Sequence, residues 1–428
     1  MDPVAAAPAA GIARLRRLQG LGVLCGFAAG AWLGAAEAPL KMVTLGFPPV
    51  VISLLMVLGV FLARWTLPAL IRGSSGISAD VRQAPHLIIW AILAGCLWAV
   101  ANTLTVFAIR DIGLSIAFPL WNSNSLLGIV WGFVFFNELR GAGAKRWFGV
   151  LGGAVLMFAG ATLLAVTSSA QALSGHALRG VAAALMAGAL WGTMYIPYRK
   201  AYLTGMNPLS FVTFFTIGEV AMMTLLALAD RGGVAPLAAE LARSKTIVFW
   251  LLCGGFVWVI GDLFQQYAAK YIGISRGIPL SNTNQLWGLA WGTLVFGELH
   301  GGGSGLYARV IGGSVIMAAG AAAIALATAN AREHEQWREA GRREGEKYGV
   351  DQAYVASALS GEAGGEHRRT WVDWVIVLGA TGVFVGFATV AQVPHLALNW
   401  SAMGGLVLLS VGLLVTAGLA LWKTTRFG

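Results

Sequence analysis

The chain has 428 residues, 57% of them apolar and 11% charged, proportions that exclude both an ordinary soluble globular protein and a disordered one. Its net charge of +10 is spread over short loops with no aromatic-interleaved basic patch, so nucleic-acid binding is excluded as its explanation. Cys25, Cys96 and Cys253 all sit inside apolar stretches without metal-like spacing, so they are expected to be packing residues.

Read from the N-terminus, a basic segment (1–17, with Arg14, Arg16 and Arg17) leads into the first of twelve apolar stretches. A helix of about 20 apolar residues crosses the roughly 30 Å hydrocarbon layer, so each stretch predicts a transmembrane helix. Five fall near 18–36, 45–67, 87–109, 114–136 and 147–167, and five more near 178–198, 209–229, 247–268, 274–296 and 306–328. The last two fall near 374–392 and 402–421. The opening segment with Ala-Glu-Ala at 36–38 imitates a cleavable signal peptide, but the first stretch has a counterpart later in the chain and is expected to stay in the fold.

That counterpart belongs to a whole-unit repeat. "PLWNSNSLLGIVWGFVFFNELRG" from Pro119 returns as "PLSNTNQLWGLAWGTLVFGELHG" from Pro279, and 15 of 31 residues are identical between 111–141 and 271–301. The same offset pairs Gly95 with Gly255 and Trp98 with Trp258, and a near-equal one pairs Gly30, Gly34, Pro39 and Lys41 with Gly188, Gly192, Pro197 and Arg199. Each unit, 18–167 and 178–328, holds five predicted helices. An odd number forces the second unit to start from the other side of the membrane, so the expected architecture is all-α and integral to the membrane, with ten transmembrane helices in two inverted five-helix repeats. Glycines such as Gly152, Gly153 and Gly160, with Gly312, Gly313 and Gly320, are expected to let helices approach closely.

With the N-terminus in the cytoplasm, 22 of the 29 Lys and Arg fall on cytoplasmic segments, so both termini are expected there. After the repeats comes a charged cytoplasmic linker (329–370), in which "NAREHEQWREAGRREGEKYG" alternates in sign as an exposed helix would. An accessory two-helix hairpin (371–428) follows.

Ionisable groups within a bilayer are costly and so point to function. Glu219 falls near the centre of its span, and Asp262 about two-thirds along its own. Trp258, Asp262, Gln265 and Gln266 share a helical face, as do Trp98, Asn102 and Thr105 on the counterpart helix. An indole covers the apolar face of a sugar while amides and a carboxylate bond its hydroxyls. An acid held away from water also exchanges a proton readily, which makes Asp262 and Glu219 the expected proton-coupling groups.

Asn122 and Asn124, and again Asn282 and Asn284, stand about 200° apart on an ideal helix and face one cavity only if the turn is distorted. Pro119 and Pro279 supply a reason for distortion, since each removes a backbone donor and frees the carbonyl of Ser115 or Ser275. The four asparagines, with Trp98, Asn102, Trp258, Gln265 and Gln266, form the expected substrate-binding set. Glu138 and Glu298 are expected to fix loops by pairing, the first with Lys145 or Arg146 and the second with Arg309. Trp131 and Trp291 are expected to pack.

Four stretches, "GAWLGAAEAPLK" with "GALWGTMYIPYRK", "GCLWAVANTL" with "GGFVWVIGDLFQQYAA", the Asn-bearing pair, and "FFNELRG" with "VFGELHG", resemble the drug/metabolite transporter superfamily. Within it they resemble the ten-helix carbohydrate branch of glucose/ribose porters and the rhamnose–proton symporter, over about residues 18–328. Asp262 stands where that branch has Asn, and the chain continues past the tenth helix. The resemblance implies alternating access in a bacterial inner (plasma) membrane. The leading expectation is a secondary transporter of a small neutral polar solute, a sugar, with proton coupling. The alternatives are an exporter or permease for a metabolite, amine or amino acid, and a non-transporting membrane sensor or scaffold. No metal spacing, nucleophile elbow or phosphate loop occurs, so neither an enzyme nor a cofactor is expected. The expected partners are the solute and the lipid bilayer, with homodimerisation open.

Overall fold

Backbone groups in lipid find partners only within a helix or a closed barrel, and this chain takes the first solution. A computed structural model describes residues 3–36, 38–39, 47–112, 117, 120–165, 177–297, 299–301, 303–359, 369–392 and 397–428. It is 86% helical, with no strand among the described residues. Among the described residues ten helices are long and apolar enough to cross a membrane, as befits an integral multi-pass membrane protein.

In chain order the helices are α1 (Pro3–Ala35), α2 (Pro49–Ile71), α3 (Ser74–Gln83), α4 (Leu87–Ile112), α5 (Asn124–Phe136), α6 (Ala144–Ala165), α7 (Ala177–Leu203), α8 (Pro208–Arg231) and α9 (Val234–Arg243). They continue with α10 (Val248–Ile272), α11 (Ile274–Ser281), α12 (Asn284–Ala290), α13 (Ser304–Leu326), α14 (Ala331–Tyr348), α15 (Gln352–Leu359), α16 (Trp371–Ala388) and α17 (Trp400–Thr425). Local chemistry sets several ends. Asn207 accepts a hydrogen bond from Leu209 N (2.9 Å) and Pro208 opens α8, which stops at the left-handed Gly232.

Two of the twelve expected spans are not continuous helices, which corrects the reading of 114–136 and 274–296. Both break at the repeated Asn-x-Asn. The first resumes as the 13-residue α5, and the second runs as α11, a turn at Asn282–Thr283, α12 and a π-helical turn at Trp291–Val295. Hydroxyls beside the asparagines bond backbone carbonyls three residues back: Ser123 to Leu120 O (2.7 Å), Ser125 to Asn122 O (2.9 Å), Ser281 to Ile278 O (2.7 Å) and Thr283 to Leu280 O (2.9 Å). Such bonds compete with the helical ladder, and Pro279 has already removed a donor from it. Pro119, Ser115, Lys41 and Glu298 lie outside the described residues.

Around these breaks the packing repeats itself. Helix α1 lies on α10 and α12 as α7 lies on α4 and α5, and α2 meets α10 as α8 meets α4. Gly59 and Gly255 let the backbones of α2 and α10 touch, and Gly95 and Gly218 do so for α4 and α8; a Cβ at any of the four would strike main-chain atoms of the facing helix. Gly153, Gly160, Gly313 and Gly320 line the contact of α6 with α13, whereas Gly152 and Gly312 stand away from any close backbone approach. The tail helices take separate seats, α16 along α2 and α10 and α17 along α1.

Candidate functional site

The crossings of α2 with α10 and of α2 with α8 bring three charged side chains together. Arg64 on α2 donates through Nη1 to Glu219 Oε2 on α8 (2.9 Å) and through Nη2 to Asp262 Oδ2 on α10 (2.7 Å). None of the three is more than 1% exposed. Arg64 was not among the expected site residues; its signal is a lone base inside the apolar stretch 45–67, by the same reasoning that singles out Glu219 and Asp262.

The two carboxylates differ in how they are held. Asp262 uses both oxygens, its Oδ1 accepting from Gln266 Nε2 (2.9 Å), and Gln266 in turn accepts from Tyr202 Oη. Glu219 is bound through Oε2 alone, and its Oε1 has no well-formed hydrogen bond although Thr216, one turn earlier, brings a hydroxyl near it. The guanidinium of Arg64 lies over Phe215 (4.2 Å to the ring centroid) and Trp258 (5.4 Å). Trp258 meets Trp98 edge-on at 5.3 Å between centroids.

The asparagines form a second cluster where the two helix breaks face each other. Asn282 Nδ2 donates to Ser125 Oγ (2.9 Å) and reaches Asn124 Oδ1 at 3.5 Å, while Asn124 Nδ2 reaches Tyr195 Oη at 3.4 Å. Rings connect the clusters: Tyr195 stands edge-on to Tyr198, Tyr198 to Phe215, and Phe215 lies beneath Arg64. Gln265, one turn from Asp262 on α10, donates through Nε2 to Ser281 Oγ on α11 (2.5 Å). Asn102 is half-buried on α4, Asn122 is buried at the first break, and Asn284 has a buried Oδ1 without a partner. Cavities of about 270 and 330 Å³ lie elsewhere, one lined by residues such as Thr293 and His300 and the other an apolar groove between α2 and α16.

A third charged network closes the end of the molecule that carries the linker. Glu138 was expected to pair with Lys145 or Arg146, and the structure corrects this. Left-handed Asn137 and Leu139 (φ 56° and 63°) turn its side chain inward. There it meets Arg199 Nε at 2.7 Å and accepts the backbone N–H groups of Ile274 (3.1 Å) and Ser275 (2.9 Å) at the start of α11. Gly273, at φ +82°, leaves the space that the carboxylate fills. Arg146 instead donates to the carbonyls of Thr328 and Ala142.

The linker joins this network and is not the fully exposed helix its alternating charges predicted. Asn330 and Glu333 form a reciprocal N-terminal cap on α14. Glu333, fully buried, also accepts two bonds from Arg276 Nη2 (3.0 and 3.1 Å) and one from Leu139 N (3.2 Å). Trp337 is buried beneath the guanidinium of Arg199 (4.6 Å). Burial pushes the imidazole of His334 down to about 4, with Arg199, Arg276 and Arg338 adding to the effect and the backbone of Asn330 opposing it.

No family model matches the chain, and no curated protein matches it. A solved structure described only as "Crystal structure of protein" is similar at 16% identity over 69% of this chain and 96% of its own, with a TM-score of 0.48.

Proposed function

We propose that the protein is a proton-coupled secondary transporter of a small polar solute, working by alternating access between two inverted repeats with both termini in the cytoplasm of a bacterial inner membrane. One observation carries the reading: two carboxylates share a single guanidinium, all three side chains buried, with no further base beside them among the described residues. An unbalanced negative charge is expensive inside hydrocarbon, so the site calls for one proton or one bound cation. Glu219, with an oxygen to spare, is the carrier; Asp262, fully bonded, holds Arg64 in place.

The sequence repeat, the matching helix contacts and the matching breaks support two related halves that exchange roles. The facing asparagines at those breaks suit hydroxyl groups of an uncharged solute, and the resemblance to the glucose/ribose porters makes that solute a sugar. The unbalanced charge also favours a second reading, in which an amine competes with the proton at Glu219 and is exchanged outward.

Proteoliposomes bearing a pH gradient test both. Glu219→Gln removes the proton and keeps the shape, so it is expected to abolish gradient-driven accumulation while leaving solute exchange intact. Accumulation with an unchanged pH profile in Glu219→Gln would remove the carrier role. A thermal-shift screen separates the cargoes: a sugar protects equally across pH, whereas an amine protects less as protons compete for its site.

A further inference from the structure

We propose that α14 and α15 form a strap that holds the cytoplasmic end of the protein shut, and that its release gates opening on that side. The inference rests on the alternating-access reading for what opens; the strap itself rests on separate contacts. Those contacts bridge the two repeated segments. On the first segment, Asn330 Nδ2 donates to Gly141 O (3.1 Å), Leu139 N donates to Glu333, and Tyr354 Oη donates to Asp80 Oδ1 (3.2 Å). On the second, Glu333 takes Arg276, Trp337 lies under Arg199, Lys200 Nζ meets Glu344 Oε2 at 2.7 Å, and Tyr354 Oη reaches Gly205 O (3.0 Å). Tyr348 stacks on His86 at 3.9 Å and lies 5.2 Å from Lys200 Nζ.

If one segment rocks against the other so that this end opens, it separates the end of α5 from the start of α11 and parts Glu138 from Arg199 and Ile274. A helix bonded to both sides cannot follow both. Its contacts must break first, and they include a buried carboxylate that accepts three bonds from two donors outside the strap, Arg276 Nη2 and Leu139 N. A strap so placed biases the resting population toward the state closed on the cytoplasmic side, by the free energy of docking.

The Lys200–Glu344 pair offers a test that spares Glu333, Arg276 and Arg199, since its side chains, 11% and 27% exposed, lie nearer the surface. The reporter is Ser275→Cys, at a fully buried position on the closed end, in full-length protein whose three native cysteines are replaced by alanine. It is labelled with a maleimide from the cytoplasmic side in inside-out vesicles, and α14 amide exchange is followed in parallel. Glu344→Lys is expected to raise both rates by about fivefold, the shift that losing one partly exposed ion pair supports. Lys200→Glu with Glu344→Lys restores the pair with signs exchanged and is expected to return both to the starting values. Unchanged rates in Glu344→Lys would overturn the strap, as would a rise that the double variant fails to reverse, because that marks general loosening. Neither readout depends on solute, so a chain that fails to transport yet shows reversible release loses the transport reading and keeps the strap.

Discussion

The mid-span cluster and the linker-end network are both built from buried arginines and carboxylates, yet they differ in balance. Arg64 faces two acids, and one oxygen of Glu219 lacks a well-formed bond. At the linker end Arg199 has Glu138 and Arg276 has Glu333, and backbone N–H groups of Ile274, Ser275 and Leu139 occupy both acids further. An ion network with equal charge and saturated acceptors has no reason to admit a mobile cation and serves to hold elements together. One with an acid to spare has such a reason. The difference separates a candidate transport site from a clamp without reference to any relative.

The sharpest way to break this comparison is to remove the bases. Arg64→Met leaves two acids in hydrocarbon and is expected to cost about 3–5 kcal/mol, read as a fall in thermal unfolding temperature. Adding Glu219→Gln and Asp262→Asn is expected to recover most of that stability while accumulation stays abolished. At the linker end, Arg276→Met is expected to cost about 2–4 kcal/mol by stranding Glu333. There the double change with Glu333→Gln should recover stability and keep solute binding, measured by thermal shift. Equal behaviour of the two neutralised clusters would erase the distinction.

A smaller effect comes from pH. His334 stands at about 4 in the docked strap against an ordinary imidazole value of 6.5, facing Arg199, Arg276 and Arg338 and the Glu333 bound to Arg276. Above pH 6.5 both docked and released strap carry a neutral ring, so His334 contributes nothing to the balance. Between 6.5 and 4 only the released strap takes the proton, and docking weakens as pH falls; below about 4 the loss is complete. Amide exchange in α14, corrected for intrinsic rates, is expected to rise by up to about tenfold per pH unit across that window, and His334→Asn to flatten it. The smallest effect serves as the control: Arg342 and Glu346 pair at 3.3 Å with side chains 60% and 52% exposed, and Arg342→Ala is expected to change stability by no more than about 0.5 kcal/mol.

Hydropathy placed ten of the long helices close to where they lie, because the cost of an unpaired backbone in lipid is local and each stretch answers it alone. It joined across the Asn-x-Asn turns because the hydroxyl-to-carbonyl bonds that break those helices leave the apolar count unchanged. Glu219 and Asp262 were legible as acids in apolar surroundings; their common partner was not, because Arg64 meets them only once α2 crosses both α8 and α10. The same holds for Glu138, whose sequence neighbours Lys145 and Arg146 lost to Arg199 after a left-handed turn reversed its direction, and for a linker whose charges looked solvent-bound until Arg276 and Arg199 received them. Sequence by itself determined which segments are helices and which charges are costly, since both follow from residue and solvent. Tertiary structure decided which charges pay for one another, since pairing depends on crossings between segments more than a hundred residues apart.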